Sequence, residues 1–291
     1  ARVYPLHKAS SPVSVKGGLY HPDIPRKFEQ LREMRGNLPG KPLSVASDKA
    51  FLKKQPIPRE KLGGHHLYAG PFFRHYGHFV AESVHRLWAY LEAPEKYESV
   101  LVCPQPLKGT QRAKKTDELP GYFTAIMEYF GVPIDKVRLV NKPLLVERLT
   151  VPTQASNYGN TPPPAPQYLD YLDGRADALL SDLSGLPAKI YVSRSDYLHK
   201  GSYAGERYFE PLLEAEGYHI LKPEKLPLLE QLRHYKAADV ILFSEGSAVH
   251  TAELLGSIKA DVALIQRRQM ALDVMMSVLS NKRPQMLQGT C

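Results

Sequence analysis

The stretch Val240-Ile241-Leu242-Phe243-Ser244-Glu245-Gly246-Ser247-Ala248-Val249-His250-Thr251-Ala252-Glu253-Leu254-Leu255 decides the fold class. Four apolar residues in succession suit a strand buried on both faces. Small residues then close it, and apolar residues return at helical spacing. The pattern predicts a strand over 240–243, a tight turn, and a helix over 247–255. A strand that turns directly into a helix aims free backbone N–H groups and the positive helix end at whatever lies beyond the sheet, a natural seat for a diphosphate.

Outward from that turn the alternation continues. Strands are expected over 189–193, 219–221 and 262–265, and helices over 167–183, 205–216 and 226–237. The segment 152–166, with Pro162-Pro163-Pro164, reads as a linker. Before it, 66–71 reads as extended and 99–103 as a buried strand, with further strands over 137–140 and 144–151. Phe79, Val80, Val84, Leu87 and Trp88 recur at spacings of three and four, which predicts a helix over 76–91. A second helix is expected over 121–130, stopped by Gly131. The first 60 residues, rich in Pro, Lys and Arg, read as a loosely structured lead-in with short strands. Strand–helix alternation with short loops implies mostly parallel sheets. The expectation is an α/β protein of two Rossmann-like lobes, 1–160 and 161–291, with ligands at the strands' carboxyl ends in a cleft between the lobes.

Composition narrows the class. The chain has 291 residues, of which 43% are hydrophobic and 23% charged, as in ordinary globular proteins. No run of about 18 uncharged apolar residues occurs, so no membrane-spanning helix is expected. Lys and Arg number 38 against 30 Asp and Glu, a formal charge of +8, which favours an anionic ligand or surface. The basic residues do not interleave with the aromatics as in nucleic-acid modules, so no nucleic-acid partner is expected. Two cysteines form neither a metal pattern nor a disulfide framework, which fits a reducing compartment. The N-terminus carries no apolar signal core, so either a cytosolic start or trimming from a longer chain is expected.

Three segments combine residue types that carry chemistry. His75-Tyr76-Gly77-His78 opens a helix that places His78, Glu82 and His85 on one face. Glu82 is spaced to orient the His78 imidazole, as a general base is held; the alternatives are a solvated polar stripe and a metal site, though the spacing is not His-Glu-x-x-His. Tyr191-Val192-Ser193-Arg194 puts a guanidinium at a strand's carboxyl end, where its fork suits phosphate oxygens, with Lys200 adding positive field. The alternative is a surface arginine closing the strand. Glu245-Gly246-Ser247-Ala248 is the turn described above; it lacks the spacing of a P-loop and of a nucleophile elbow. A carboxylate repels a diphosphate, so Glu245 is expected to face a sugar, an acceptor or the helix's own N–H groups. The alternative for this turn is an N-capped helix with no ligand.

In this order the segments resemble the catalytic domain of glycosyltransferase family 61, over roughly residues 60–266. The carriers are His75-Tyr76-Gly77-His78 with Glu82, Tyr191-Val192-Ser193-Arg194, Gly205-Glu206, Pro223-Glu224 and Glu245-Gly246-Ser247-Ala248. The family usually has His where Glu245 stands and Asn where Gly205 stands. The resemblance implies a GT-B fold and an inverting, metal-independent transfer from a nucleotide-sugar donor to a glycan or lipid-linked acceptor, with no cofactor. It implies donor binding by Ser193, Arg194, Lys200, Glu224 and Gly246 to Ala248. His78 with Glu82 would be the base, Glu245 the second choice, and Tyr76, Gly77, Arg86 and His250 would lie on the acceptor side. A bacterial enzyme of capsule or lipopolysaccharide synthesis is expected, cytoplasmic and touching anionic lipid at the inner membrane. Competing readings are a non-catalytic nucleotide- or glycan-binding module and a metal-dependent phosphotransferase of cell-surface polymers.

Overall fold

The computed structural model describes residues 1–8, 15–20, 33–38, 41–45, 57–105, 119–156, 163–197, 201–202, 204–268, 272–280 and 282. The chain divides into two compact units, Ala1–Thr161 and Pro162–Cys291. Both are mixed α/β, with parallel strands and helices.

The first unit contains β1 (Arg2–Lys8), β2 (Val15–Tyr20), β3 (Glu33–Leu38), β4 (Lys41–Val45), β5 (Glu60–Phe72), β6 (Ser99–Pro104), β7 (Val137–Leu139) and β8 (Leu144–Thr150). Its main sheet runs in the order β2-β1-β8-β5-β6-β7, and β3 pairs with β4 in a separate antiparallel ribbon. Strands β5 to β8 are parallel where they pair, whereas β1 runs antiparallel to both β2 and β8. The lead-in is therefore not loosely attached throughout. Val3 and Leu19 are buried with Tyr68, Leu101, Val140 and Val146, so β1 and β2 complete the sheet's apolar face.

Here the chain lays β5, β6 and β7 side by side, then returns to place β8 against the other edge of β5. The sheet order thus reverses between β5 and β8, the position where open α/β sheets form their binding crevice. Helix α1 (Tyr76–Glu82) leaves the carboxyl end of β5, and α2 (Trp88–Glu92) and α3 (Gly121–Tyr129) follow. Phe72 at the end of β5 meets Phe79 of α1 at 5.0 Å and Phe123 of α3 at 4.6 Å, edge to face. Such pairs add about 0.5–1.5 kcal/mol each beyond their area burial.

The helix expected over 76–91 is broken. A 3₁₀ turn (Val84–Arg86) separates α1 from α2. At the break the segment after β8 bonds in: Ala155 N–H donates to the His85 carbonyl (3.0 Å) and Gln154 Nε2 to the Glu82 carbonyl (3.0 Å). Groups inserted from outside the ladder accompany sharp breaks in helices.

In the second unit, α4 (Pro166–Leu179) precedes β9 (Lys189–Val192), α5 (Glu206–Ala215), β10 (His219–Leu221), α6 (Leu228–Ala237), β11 (Val240–Ser244), a 3₁₀ helix (Ser247–Leu254), β12 (Asp261–Ile265) and α7 (Leu272–Ser280). The all-parallel sheet has the order β10-β9-β11-β12. Its reversal falls between β9 and β11. The segment 247–255, read as an α-helix, is 3₁₀ up to Leu254, and α7 was not foreseen. Among the described residues no helix is long and apolar enough to cross a membrane.

Candidate active site

In the first unit α1 begins just past the reversal point and carries His78 and Glu82 on one face. His78 Nδ1 lies 2.5 Å from Glu82 Oε1; the Glu82 side chain is 2% exposed and the imidazole 35%. A buried carboxylate thus orients a half-exposed imidazole, whose ring packs 4.9 Å from that of His75. Gly77 is buried, and half-buried Tyr76 stands edge-on to Tyr122 at 5.4 Å. Burial pushes the Tyr122 phenol up to about 12 against the pull of Arg74, so it stays protonated at neutral pH.

Arg86 corrects the expectation of an acceptor-side cation. It is 1% exposed, and its guanidinium donates to the Pro152 carbonyl. Together with Trp88, whose Nε1 donates to the Thr153 carbonyl at 3.0 Å, it ties the helical segment to the chain leaving β8.

The second unit brings two of the three motifs together. Arg194 follows β9, Gly246 follows β11, and these strands flank the reversal of sheet order. The Arg194 side chain crosses the face of Gly246: a β-carbon there would overlap Nη1 and lie 2.8 Å from Cδ and 2.9 Å from Cζ. Gly246 has φ 175°, extended backbone open to any residue, so what the site requires of it is space. The first hydrogen bond after the corner runs from Val249 N–H to the Gly246 carbonyl (3.2 Å). The N–H groups of Ser247 and Ala248 precede that ladder, as at any helix start. The Arg194 guanidinium also lies 5.6 Å from the centre of the Tyr197 ring.

Arg194 is held by residues that spacing did not reveal. Its backbone N–H donates to Glu206 Oε1 (2.7 Å), which also accepts from the Tyr191 hydroxyl (2.9 Å), while Ser202 donates to the other oxygen. Burial works against the charge of Glu206, but these donors outweigh it and hold the carboxyl below its ordinary range. One turn on, Glu210 Oε1 accepts from Ser193 Oγ and Ser195 Oγ, both at 2.6 Å, and from Lys222 Nζ at 3.1 Å. Ser193, expected to bind the donor, turns its hydroxyl to Glu210. It is 1% exposed and bonded inward. The carboxylates of α5 clamp the turn and leave the Arg194 side chain to project.

Glu245 is also corrected. Fully buried, it accepts from the backbone N–H of Arg267 (2.7 Å) and Arg268 (2.6 Å) and from Arg268 Nε (2.7 Å). Burial opposes its charge, yet these donors keep the carboxyl below the usual range, which makes it a poor proton acceptor. It bonds to the chain beyond β12 and fixes it there. His250, expected on the acceptor side, is 4% exposed, and its Nδ1 lies 2.6 Å from Glu253 Oε1 inside the second unit. Glu224 is exposed in a 3₁₀ turn after β10. Lys200 lies outside the described residues.

Sequence reasoning passed over Glu206, Glu210 and Arg267. Glu206 was visible as half of the Gly205-Glu206 pair; Arg267 was signalled only by a basic pair after an apolar strand. Among the described residues no group of three or more His, Cys, Asp or Glu is placed to hold a metal ion. With this geometry in view, a family model described as Glycosyltransferase 61 matches residues 76–255, more than half of the chain. The matched span holds His78, Glu82, Arg194, Glu206 and the Gly246 corner. No curated protein matches the chain.

Proposed function

The chain belongs to glycosyltransferase family 61 and is a glycosyltransferase, and from that premise we propose that it moves a sugar, with inversion and without a metal, from a nucleotide-sugar donor to a glycan or lipid-linked acceptor. One observation carries the donor half of this reading: the Arg194 guanidinium converges on the Gly246-Ser247-Ala248 corner at the point where the sheet order reverses. A forked cation and backbone N–H groups at such a point suit a diphosphate.

The step is a single displacement. His78 donates Nδ1–H to Glu82, which leaves the Nε2 lone pair to take the proton of an acceptor hydroxyl. The acceptor oxygen forms a bond to the anomeric carbon as the bond from that carbon to the diphosphate oxygen breaks. The electron pair leaves with the diphosphate, whose charge Arg194 and the corner N–H groups stabilise. In this proposal the units are the two lobes of a GT-B enzyme, the first serving the acceptor and the second the donor. A bacterial surface-polysaccharide pathway, capsule or lipopolysaccharide, is the setting we propose, in the cytoplasm with peripheral contact to anionic membrane. The +8 charge supports the contact with anionic membrane.

Thermal-shift screening against nucleotides and nucleotide sugars tests the reading, since a bound donor raises the melting point by mass action. A nucleotide sugar that stabilises the protein should then be consumed with a saccharide acceptor, giving product of inverted anomeric configuration at a rate unaffected by chelator. Retained configuration, or activity abolished by chelator, would overturn it.

A further inference from the structure

Arg267 stands just past the carboxyl end of β12, outside the matched span, and the donor reading gives it no role. Its side chain is 18% exposed, and its charge acts on Arg194. The two meet at Gly201: Arg194 Nη2 donates to the Gly201 carbonyl (3.3 Å), and a β-carbon on Gly201 would lie 3.0 Å from Arg267 Nη1. The Nε atoms of both arginines are buried and, among the described residues, make no hydrogen bond.

Two carboxylates, Glu206 and Glu245, lie among three arginines, Arg194, Arg267 and Arg268, and offset the pair's charge only in part. Glu245 lies 4.0 Å from Arg267 Nη2, with its oxygens engaged by Arg268 and by the backbone of 267 and 268. Glu206 is taken up by backbone and hydroxyl donors. Burial first and the charge of Arg267 second lower the proton affinity of Arg194. Two cations held together under partial burial repel one another unless an anion joins them. Guanidinium forks match phosphoryl oxygens in particular.

We infer that Arg267 is a second guanidinium of the anion seat, so that Arg194 and Arg267 each grip one phosphoryl group of a diphosphate. The inference rests on the donor reading above and deepens it: an anion with two phosphoryl groups is held by both forks, one with a single group by one.

Calorimetric titration of the full chain with inorganic pyrophosphate and with orthophosphate is the test, on wild type, R194A, R267A and R267K. Wild type should bind pyrophosphate at least about tenfold more tightly than orthophosphate, since each charge-assisted contact is a strong one. R267A should lose about tenfold or more of its pyrophosphate affinity and much of that preference, while its unfolding midpoint stays near wild type. R267K keeps the charge without the fork and should fall between. Pyrophosphate binding unchanged in R267A but lost in R194A overturns the inference and leaves the donor reading standing. Wild type binding neither pyrophosphate nor any nucleoside diphosphate removes both. Should R267A fail to fold, R267Q and R267K decide, and an unaltered preference for pyrophosphate in both rejects the assignment.

Discussion

The side chain of Arg194 occupies the space that a β-carbon on residue 246 would take. Gly246 is thus a steric requirement of the arginine's position, and the two residues, far apart in sequence, form one feature. G246A should displace the guanidinium without straining the backbone, which is extended there. Donor-nucleotide affinity should fall at least about tenfold, as for loss of a charged hydrogen-bonding partner. The melting point should move little, because the obstructed atoms end a flexible side chain. Calorimetry showing wild-type affinity in G246A would remove the corner from the donor site.

Ser193 and Arg194 are adjacent but should answer differently to truncation. S193A removes a hydroxyl bonded to Glu210 and should cost about 1 kcal/mol in urea unfolding with nucleotide affinity nearly unchanged. R194A should leave stability close to wild type and weaken nucleotide binding sharply. The reverse pattern would return Ser193 to the donor site.

The His78–Glu82 pair predicts a change confined to turnover. H78A should lower kcat by at least about 100-fold, the low end of what a positioned base supplies, with donor affinity kept. E82Q keeps the shape but not the charge that orients the imidazole, and should lower kcat by a smaller factor. A rise in KM with unchanged kcat in both variants would recast the pair as binding residues.

Lys282 predicts a pH dependence of stability. It is buried, and desolvation lowers its ammonium to about 8 despite Glu253 and Asp173. An unfolded lysine titrates near 10.4. Between these values the unfolded chain binds a proton that the folded chain does not, so stability rises with pH across that window. Below about pH 8 both states are protonated and a penalty of about 3 kcal/mol stands in full. Relative to K282M, wild type should therefore gain stability from pH 8 to 10.5. Parallel curves for the two proteins over that range would show that Lys282 titrates normally.

Much of the second unit was legible because its elements repeat local patterns. The apolar run of 240–243 is β11 extended by one residue, and 219–221 matches β10. The break at Ser83 was not legible, and the groups that bond into it come from residues 154 and 155. Nor were the fates of Arg86, Ser193, Glu245 and His250. Each is a polar residue of the type a site needs, and each turns inward; only His250 does so to a partner one turn away, Glu253, while the others bond to residues that spacing does not identify.

Hydrophobic periodicity is a property of neighbours along the chain, so the sequence by itself determined the alternation of strands and helices and the turns that end in His78, Arg194 and Gly246. Which polar side chains remain available to a ligand depends on hydrogen-bond partners brought together from distant positions. Only the tertiary structure decided that Glu206 would anchor Arg194, that Glu245 would be closed off by residues 267 and 268, and that Arg267 would meet Arg194 at Gly201. A buried carboxylate must find donors wherever the fold supplies them, and for Glu206 and Glu245 several of these come from other strand ends.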